Sequence, residues 1–215
     1  LRIAARGPNF TVVNVKAQGL LNAVKWIEEE YGESALRDIV RQCSPEVRER
    51  YVSAIGINWH PVSELLELLE VADRMLGTGD GTVAESIGAA GARANMKGLA
   101  MRVAFYVANP EYMSKRIAGI WHQYNDEDAM HVISVAEERL VLELRGITSP
   151  ERLFCSTLTG WGREIAVALG VKGAVSKHVD CRARGDARCV WEVSGSTGEI
   201  LGRAPSSGRV KPARE

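Results

Sequence analysis

The sequence predicts an α+β fold: a helical N-terminal half packed on an antiparallel sheet, with one long helix and a C-terminal cysteine-containing hairpin. Three observations predict it. Apolar residues recur at helical spacing through the first hundred residues. Short alternating runs such as RLVLELRG then replace that pattern, with Leu140, Leu142 and Leu144 facing one way and Val141, Glu143 and Arg145 the other. A single long helix, Ser149 to Gly170, interrupts the strand-like half rather than alternating with it, which argues against a βαβ arrangement.

The elements follow in order. AQGLLNAVKWIEEEYG places Leu20, Leu21, Val24 and Ile27 on one stripe, and Gly32 is the expected stop. GESALRDIVRQC carries a second stripe of Leu36, Ile39, Val40 and Cys43, with Cys43 read as a small core hydrophobe. Ser44 as N-cap and Pro45 at the first helical position open a third helix. HPVSELLELLEVADRMLG is a fourth, closed by Gly77. The following GTGDG run lacks the Lys-Ser/Thr of a phosphate loop and the strand before it, and reads as a flexible turn. Gly88, Ala89, Ala90, Gly91, Ala92, Ala94, Gly98 and Ala100 then make a helix of small side chains, suited to close approach by another element, and Pro110 ends or interrupts that segment. SKRIAGIWHQYND, AMHVISVA and RLVLELRG read as strands. Ser149 caps the long helix, Pro150 opens it and Gly170 closes it, and VKGAVSKHVDC and ARCVWEVSG form the last two strands. The expected organisation is a helical part over residues 1–109, a sheet-containing part over 110–202, and a polar, Pro/Gly-rich disordered tail over 203–215.

Composition limits the function. Lys+Arg and Asp+Glu are 27 each, which argues against non-specific nucleic-acid binding. No apolar run is long enough to span a membrane, and LRIAARGPNFTVVNV has no signal-peptide core. Four cysteines in 215 residues do not make a secreted disulfide scaffold, so a reducing cytoplasmic setting is expected.

The cysteines carry the main chemical signal. Read as a hairpin with a three-residue turn at Gly185, CRARGDARC puts Cys181 and Cys189 opposite each other on one face, roughly 5 Å apart. His178 lies three residues before Cys181, so a bend or bulge is needed to bring it to that face. Cys155, on the first turns of the long helix, can be aimed at the hairpin. Cys155, His178, Cys181 and Cys189 form a Cys3His set, a closed tetrahedral complement for zinc. From spacing alone a metal, a disulfide and buried free thiols all remain open.

The segment from Cys155 to Val193 resembles the 4-vinyl reductase domain, through Cys155, Gly160, Gly162, Gly170, His178, Cys181, Gly185, Asp186, Cys189 and Trp191. That domain belongs to a ligand-binding superfamily whose relatives include sensory domains of phenol-responsive activators, the haem-nitric-oxide fold and the TRAPP subunits. The chain also resembles a family of myxobacterial paralogues. In the phenol-sensing members three cysteines and a glutamate bind zinc. The resemblance carries the cysteines to Cys155, Cys181 and Cys189 and puts His178 at the glutamate position, a departure that still supplies a good zinc ligand. It implies a structural zinc, a homodimer, a protein partner for output, and a pocket for a small apolar or aromatic ligand beside the small-residue helix. Phe105, Tyr106, Trp121 and Trp161 are the candidate pocket residues. The alternative is an interaction module of TRAPP type without a ligand. Haem is not expected, because His60, His122 and His131 are not placed on a helix face. Neither is catalysis: G-x-S-x-G, H-E-x-x-H and paired-carboxylate motifs are all missing from the sequence.

Overall fold

The computed structural model describes residues 13–96, 117, 119–126, 130–136, 139–145, 151–168 and 170–196. The α+β class holds. Four helices come first: α1 (Gln18–Gln42), α2 (Pro45–Ser53), α3 (Val62–Leu76) and α4 (Thr82–Asn95). A two-stranded ladder of β1 (Asn14–Lys16) and β2 (Trp59–Pro61) ties the start of the described chain to the entry of α3. A short helix, α5 (119–124), precedes the main sheet. That sheet is built from β3 (Met130–Ala136), β4 (Arg139–Leu144), β5 (Lys172–Asp180) and β6 (Cys189–Ser196), in the order β3-β4-β6-β5, with helix α6 (Arg152–Ala168) between β4 and β5. All its pairings are antiparallel.

Local sequence accounts for the helical half. Leu20, Ala23 and Ile27 are buried along α1, as are Leu36, Ile39 and Val40 further on. Gly32 does not stop the helix as its sequence suggests. It adopts φ 84° and kinks α1, and the second stripe continues on the far side. Ser44 caps α2 as expected, its Oγ accepting from the Val47 N–H at 3.4 Å, while Glu67 from α3 accepts from the Ser44 hydroxyl at 2.9 Å. Cys43 lies in the core formed by α1 to α4, and burial pushes its thiol up to about 11.

The GTGDG turn is pinned rather than flexible. Buried Asp73 accepts from the N–H of Gly81 (2.8 Å) and of Val83 (3.1 Å), filling the N-terminus of α4 with its own carboxylate. Arg152 of α6 grips the turn from the other side, donating to the carbonyls of Gly79 and Asp80 at 2.6 Å each. A phosphate-binding role is excluded there because the helix end is already satisfied.

The small-residue helix meets α6. A Cβ on Gly88 would lie 2.0 Å from the Thr157 carbonyl oxygen, and one on Gly160 1.9 Å from that of Glu85. The two backbones therefore cross with only hydrogen atoms between them. Arg163–Glu85 (2.6 Å) and Arg93–Glu164 (3.1 Å) flank the crossing.

Three further expectations are corrected. SKRIAGIWHQYND is not a strand where it is described: 119–124 are helical. Ile117, Ile120, Trp121 and Tyr124 recur at helical spacing, and their β-branched and aromatic character hid that period. His60, whose place before Pro61 suggests a cap or a surface residue, is instead part of β2, opposite Val15, with a buried Nε2 that bonds no described group. The cysteine hairpin has no three-residue turn. A 3-10 turn, Arg182–Arg184, followed by Gly185 at φ 98°, joins the strands instead. Ser149, Pro150, Gly98, Ala100, Phe105, Tyr106 and Pro110 lie outside the described residues, as does the tail. Among the described residues, no helix is long and apolar enough to cross a membrane.

Candidate metal centre and ligand cavity

Helix α6 packs its buried face, including Phe154, Cys155 and Ala166, on the inner face of the sheet, where Leu142, Leu144, Trp191 and Val193 meet it. The four residues singled out by the sequence converge at one end of this layer. Their ligand atoms, one per residue, all lie within 4.8 Å of one another, and the three thiols are buried. Cys155 Sγ and Cys189 Sγ are 3.9 Å apart. A disulfide would need about 2.05 Å. A tetrahedral zinc with Zn–S bonds of about 2.3 Å puts its sulfurs about 3.8 Å apart. That spacing lets the cluster hold one ion.

A β-bulge makes this convergence fit the sequence. His178 pairs with Trp191 and Asp180 with Val190, so two steps on β5 match one on β6 and Val179 is extra. The odd offset between His178 and Cys181 is thereby cancelled, and both side chains reach the inner face. The bend the spacing required is present. The His178 ring stacks on Trp191, with centroids 4.3 Å apart and planes at 7°. Its Nε2 is buried without a partner. That nitrogen is left for an ion. Burial, with Arg184 beside it, lowers the His178 pKa to about 4 and keeps the imidazole neutral.

The loop supplies the outer support. Asp186 accepts from the Cys181 N–H at 2.7 Å, and Cys181 O accepts from the N–H groups of Arg184 (2.8 Å) and Asp186 (3.1 Å). The Arg182 N–H points at Cys189 Sγ (3.4 Å). Trp191 Nε1 donates to Thr159 Oγ1 (3.0 Å), whose hydroxyl donates to the Cys155 carbonyl (3.0 Å). Burial pushes the Cys155 and Cys189 thiols up, which disfavours free thiolates in the absence of a cation.

A second feature lies beside the crossing of α4 and α6. A cavity of about 130 Å³ opens between α1, α4, α5 and α6, lined by Ile87, Gly88, Gly91, Trp121, Phe154 and Trp161 among others. A smaller one of about 60 Å³ lies beneath the sheet, and Trp121 and Trp161 border both. The two tryptophans chosen from the sequence therefore do line a cavity, beside the small-residue helix. Asn22, Asn95 and Tyr124 also line it and were not singled out. Asn22 lies one turn beyond Gln18 on α1, off the Leu20–Ala23–Ile27 stripe, so no local sequence signal marks it.

No family model matches the chain, and no curated protein matches it. Solved structures do. An H-NOX protein from S. oneidensis in the Fe(II)NO ligation state superposes with a TM-score of 0.62 at 16% identity, over 84% of this chain and 99% of that one. An Fe(II) unliganded H-NOX protein from K. algicida gives 0.62 at 11%, over 84% and 96%. A structure described as probing haem distortion in the H-NOX family gives 0.59 at 10%, over 84% and 94%. At these identities the likeness carries the fold, and the haem-nitric-oxide relative named by the sequence resemblance is the one it supports. The 4-vinyl reductase and TRAPP likenesses rest on the sequence motif alone. The expectation against haem is overturned: structures of this same fold are described with Fe(II), and one of them with haem. As to the residues of this chain, none of its four histidines lines the described part of the cavity, so that lining offers no imidazole to an iron.

Proposed function

We propose that the chain is a non-catalytic small-molecule-binding sensory module, with a structural metal ion of zinc's ligand preference held by Cys155, His178, Cys181 and Cys189. The observation that carries the metal is the convergence of three buried thiols and an unpartnered imidazole nitrogen within 4.8 Å. Four protein ligands fill a tetrahedral shell and leave no place for a reactive water, which suits structure rather than catalysis. The ion would clasp the start of α6 to the β5–β6 hairpin. The apolar cavity beside the α4–α6 crossing supports the ligand-binding half of the reading. Output would pass to a protein partner or through a homodimer interface.

A second reading, an interaction module without a ligand, draws support from Val52, Ile55, Ile57 and Trp59, which expose apolar surface around the α2–β2 connection. Elemental analysis of the purified protein tests the first reading. About one zinc per chain, lost in the Cys181→Ser/Cys189→Ser double variant, is the expected result. Full titration of the free thiols with no bound metal would refute it. Visible absorbance of the same sample reads haem directly.

A further inference from the structure

The cavity is apolar, yet one polar group in it is held in a set orientation. Gln18 Nε2 donates to Asn22 Oδ1 at 2.9 Å, one turn along α1. In this arrangement the Oδ1 end is occupied and Nδ2 is the free end. A Cβ on Gly91 of α4 would lie 3.4 Å from Nδ2, which places this N–H2 against the α4 wall of the cavity, where glycine leaves room beside it. Among the described residues, nothing accepts from Asn22 Nδ2. The other polar lining groups differ. Lys16 donates to the Ile57 carbonyl, Asn125 to that of Trp121 and Thr157 to that of Phe154. Asn95 and Tyr124 line the cavity without a described neighbour that orients them.

We infer that the cavity selects a neutral, mostly apolar molecule of about benzene size carrying one hydrogen-bond acceptor, and that Asn22 Nδ2 reads that acceptor. The inference rests on the ligand-binding reading above. A cavity of about 130 Å³ matches the size of cavities, around 150 Å³, that take benzene. Among the described lining residues the one lysine is engaged elsewhere, so they offer nothing to neutralise an anion. A positioned donor in an apolar site discriminates because an unmet donor there stays desolvated. Gln18 is a positioning residue that acts through Asn22.

Benzene and pyridine are matched probes, equal in shape and differing by one acceptor nitrogen. Their affinities are measured by calorimetry at pH 8 for the wild-type chain, Asn22→Leu and Gln18→Leu. Reading the ratio across variants cancels the different hydration of the two probes. The pyridine-to-benzene affinity ratio is expected to fall about three- to tenfold in Asn22→Leu. A smaller fall is expected in Gln18→Leu, with benzene affinity unchanged. Gln18→Leu leaves the lining intact and keeps the test decisive if Asn22→Leu does not fold. Binding of both probes with the same ratio in all three proteins would overturn the role of Asn22 and leave the cavity reading standing. Binding of neither probe to the wild-type chain would overturn both.

Discussion

Replacing Gly160 by alanine tests the helix crossing on which both sites depend. The new methyl would sit 1.9 Å from the Glu85 carbonyl oxygen and 3.0 Å from the Ala89 nitrogen, both backbone atoms that no rotamer change can move. Ordinary contact needs about 3.5 Å, so α4 and α6 would have to separate by roughly 1.5 Å. Overpacking of this kind costs about 1–3 kcal/mol and more when backbone is involved. The gain in helix propensity from Gly to Ala returns only about 1 kcal/mol. Separation also weakens the dispersion attraction between the two helices, giving a net loss of about 2–4 kcal/mol. For a chain of this size that is a fall in Tm of roughly 5–15 °C. Thermal and urea unfolding followed by circular dichroism measure it. Gly119→Ala is the control, because a Cβ there meets nothing within 4 Å, and it is expected to hold or raise Tm. Equal Tm values for Gly160→Ala and Gly119→Ala would refute the close crossing. So would a benzene cavity unchanged in Gly160→Ala, since α6 supplies Phe154, Leu158 and Trp161 to it.

Three other outcomes are expected. Stripping the metal with a chelator under reducing conditions should lower stability by about 4 kcal/mol relative to protein in zinc at a thousandfold excess over Kd, with recovery on adding zinc back, read by thermal shift. Asp73→Ala leaves the N–H groups of Gly81 and Val83 unmet and should cost about 2–3 kcal/mol, together with faster proteolysis within residues 77–81. Cys43 holds its proton in the fold up to about pH 11 and in the unfolded chain only to about 9. Its contribution is therefore intact below pH 9 and is lost as pH rises towards 11. Cys43→Ala should remove about 2 kcal/mol of that alkaline loss, measured by urea unfolding at pH 8 and pH 10.5.

Much of the architecture was legible because amphipathic periods and caps are local. The stripes of α1, the Ser44–Pro45 start, the alternation of β4 and the end of α6 at Gly170 could each be read from a few neighbouring residues. The misreadings came where tertiary contacts override local signals. Gly32 kinks rather than stops, because both flanking stripes face the same core. The helical period of 119–124 was masked by residues that favour strands. The β1–β2 ladder has three residues on each side and no pattern of its own. Of the site, the candidate Cys3His set was visible as composition, and the need for a bend beside His178 followed from strand geometry. The form of that bend and the 3-10 turn were not visible, because the pairing register is set by β6 and α6, far along the chain. The aromatic part of the cavity was partly foreseen, at Trp121 and Trp161. Asn22 was missed because it lies off the apolar stripe of α1 and reads as a surface position until the facing glycine is known.

The bulge that brings His178 round has a consequence at the outer margin of the sheet. β5 is an edge strand, and its ladder to β6 is irregular at both the His178–Asp180 and Lys172–Val175 steps. The opposite edge, β3, is also out of register, between Val132 and Ser134. Only the inner pairing of β4 with β6 runs unbroken. An edge that twists and skips a residue presents its free N–H and C=O groups at uneven spacing, and exposed Lys172 and Lys177 add charge along β5. Such a margin is a poor template for an incoming strand. The sheet is thereby guarded against growing into aggregates on both sides, and on one of them the guard is the same extra residue that brings His178 to the thiols.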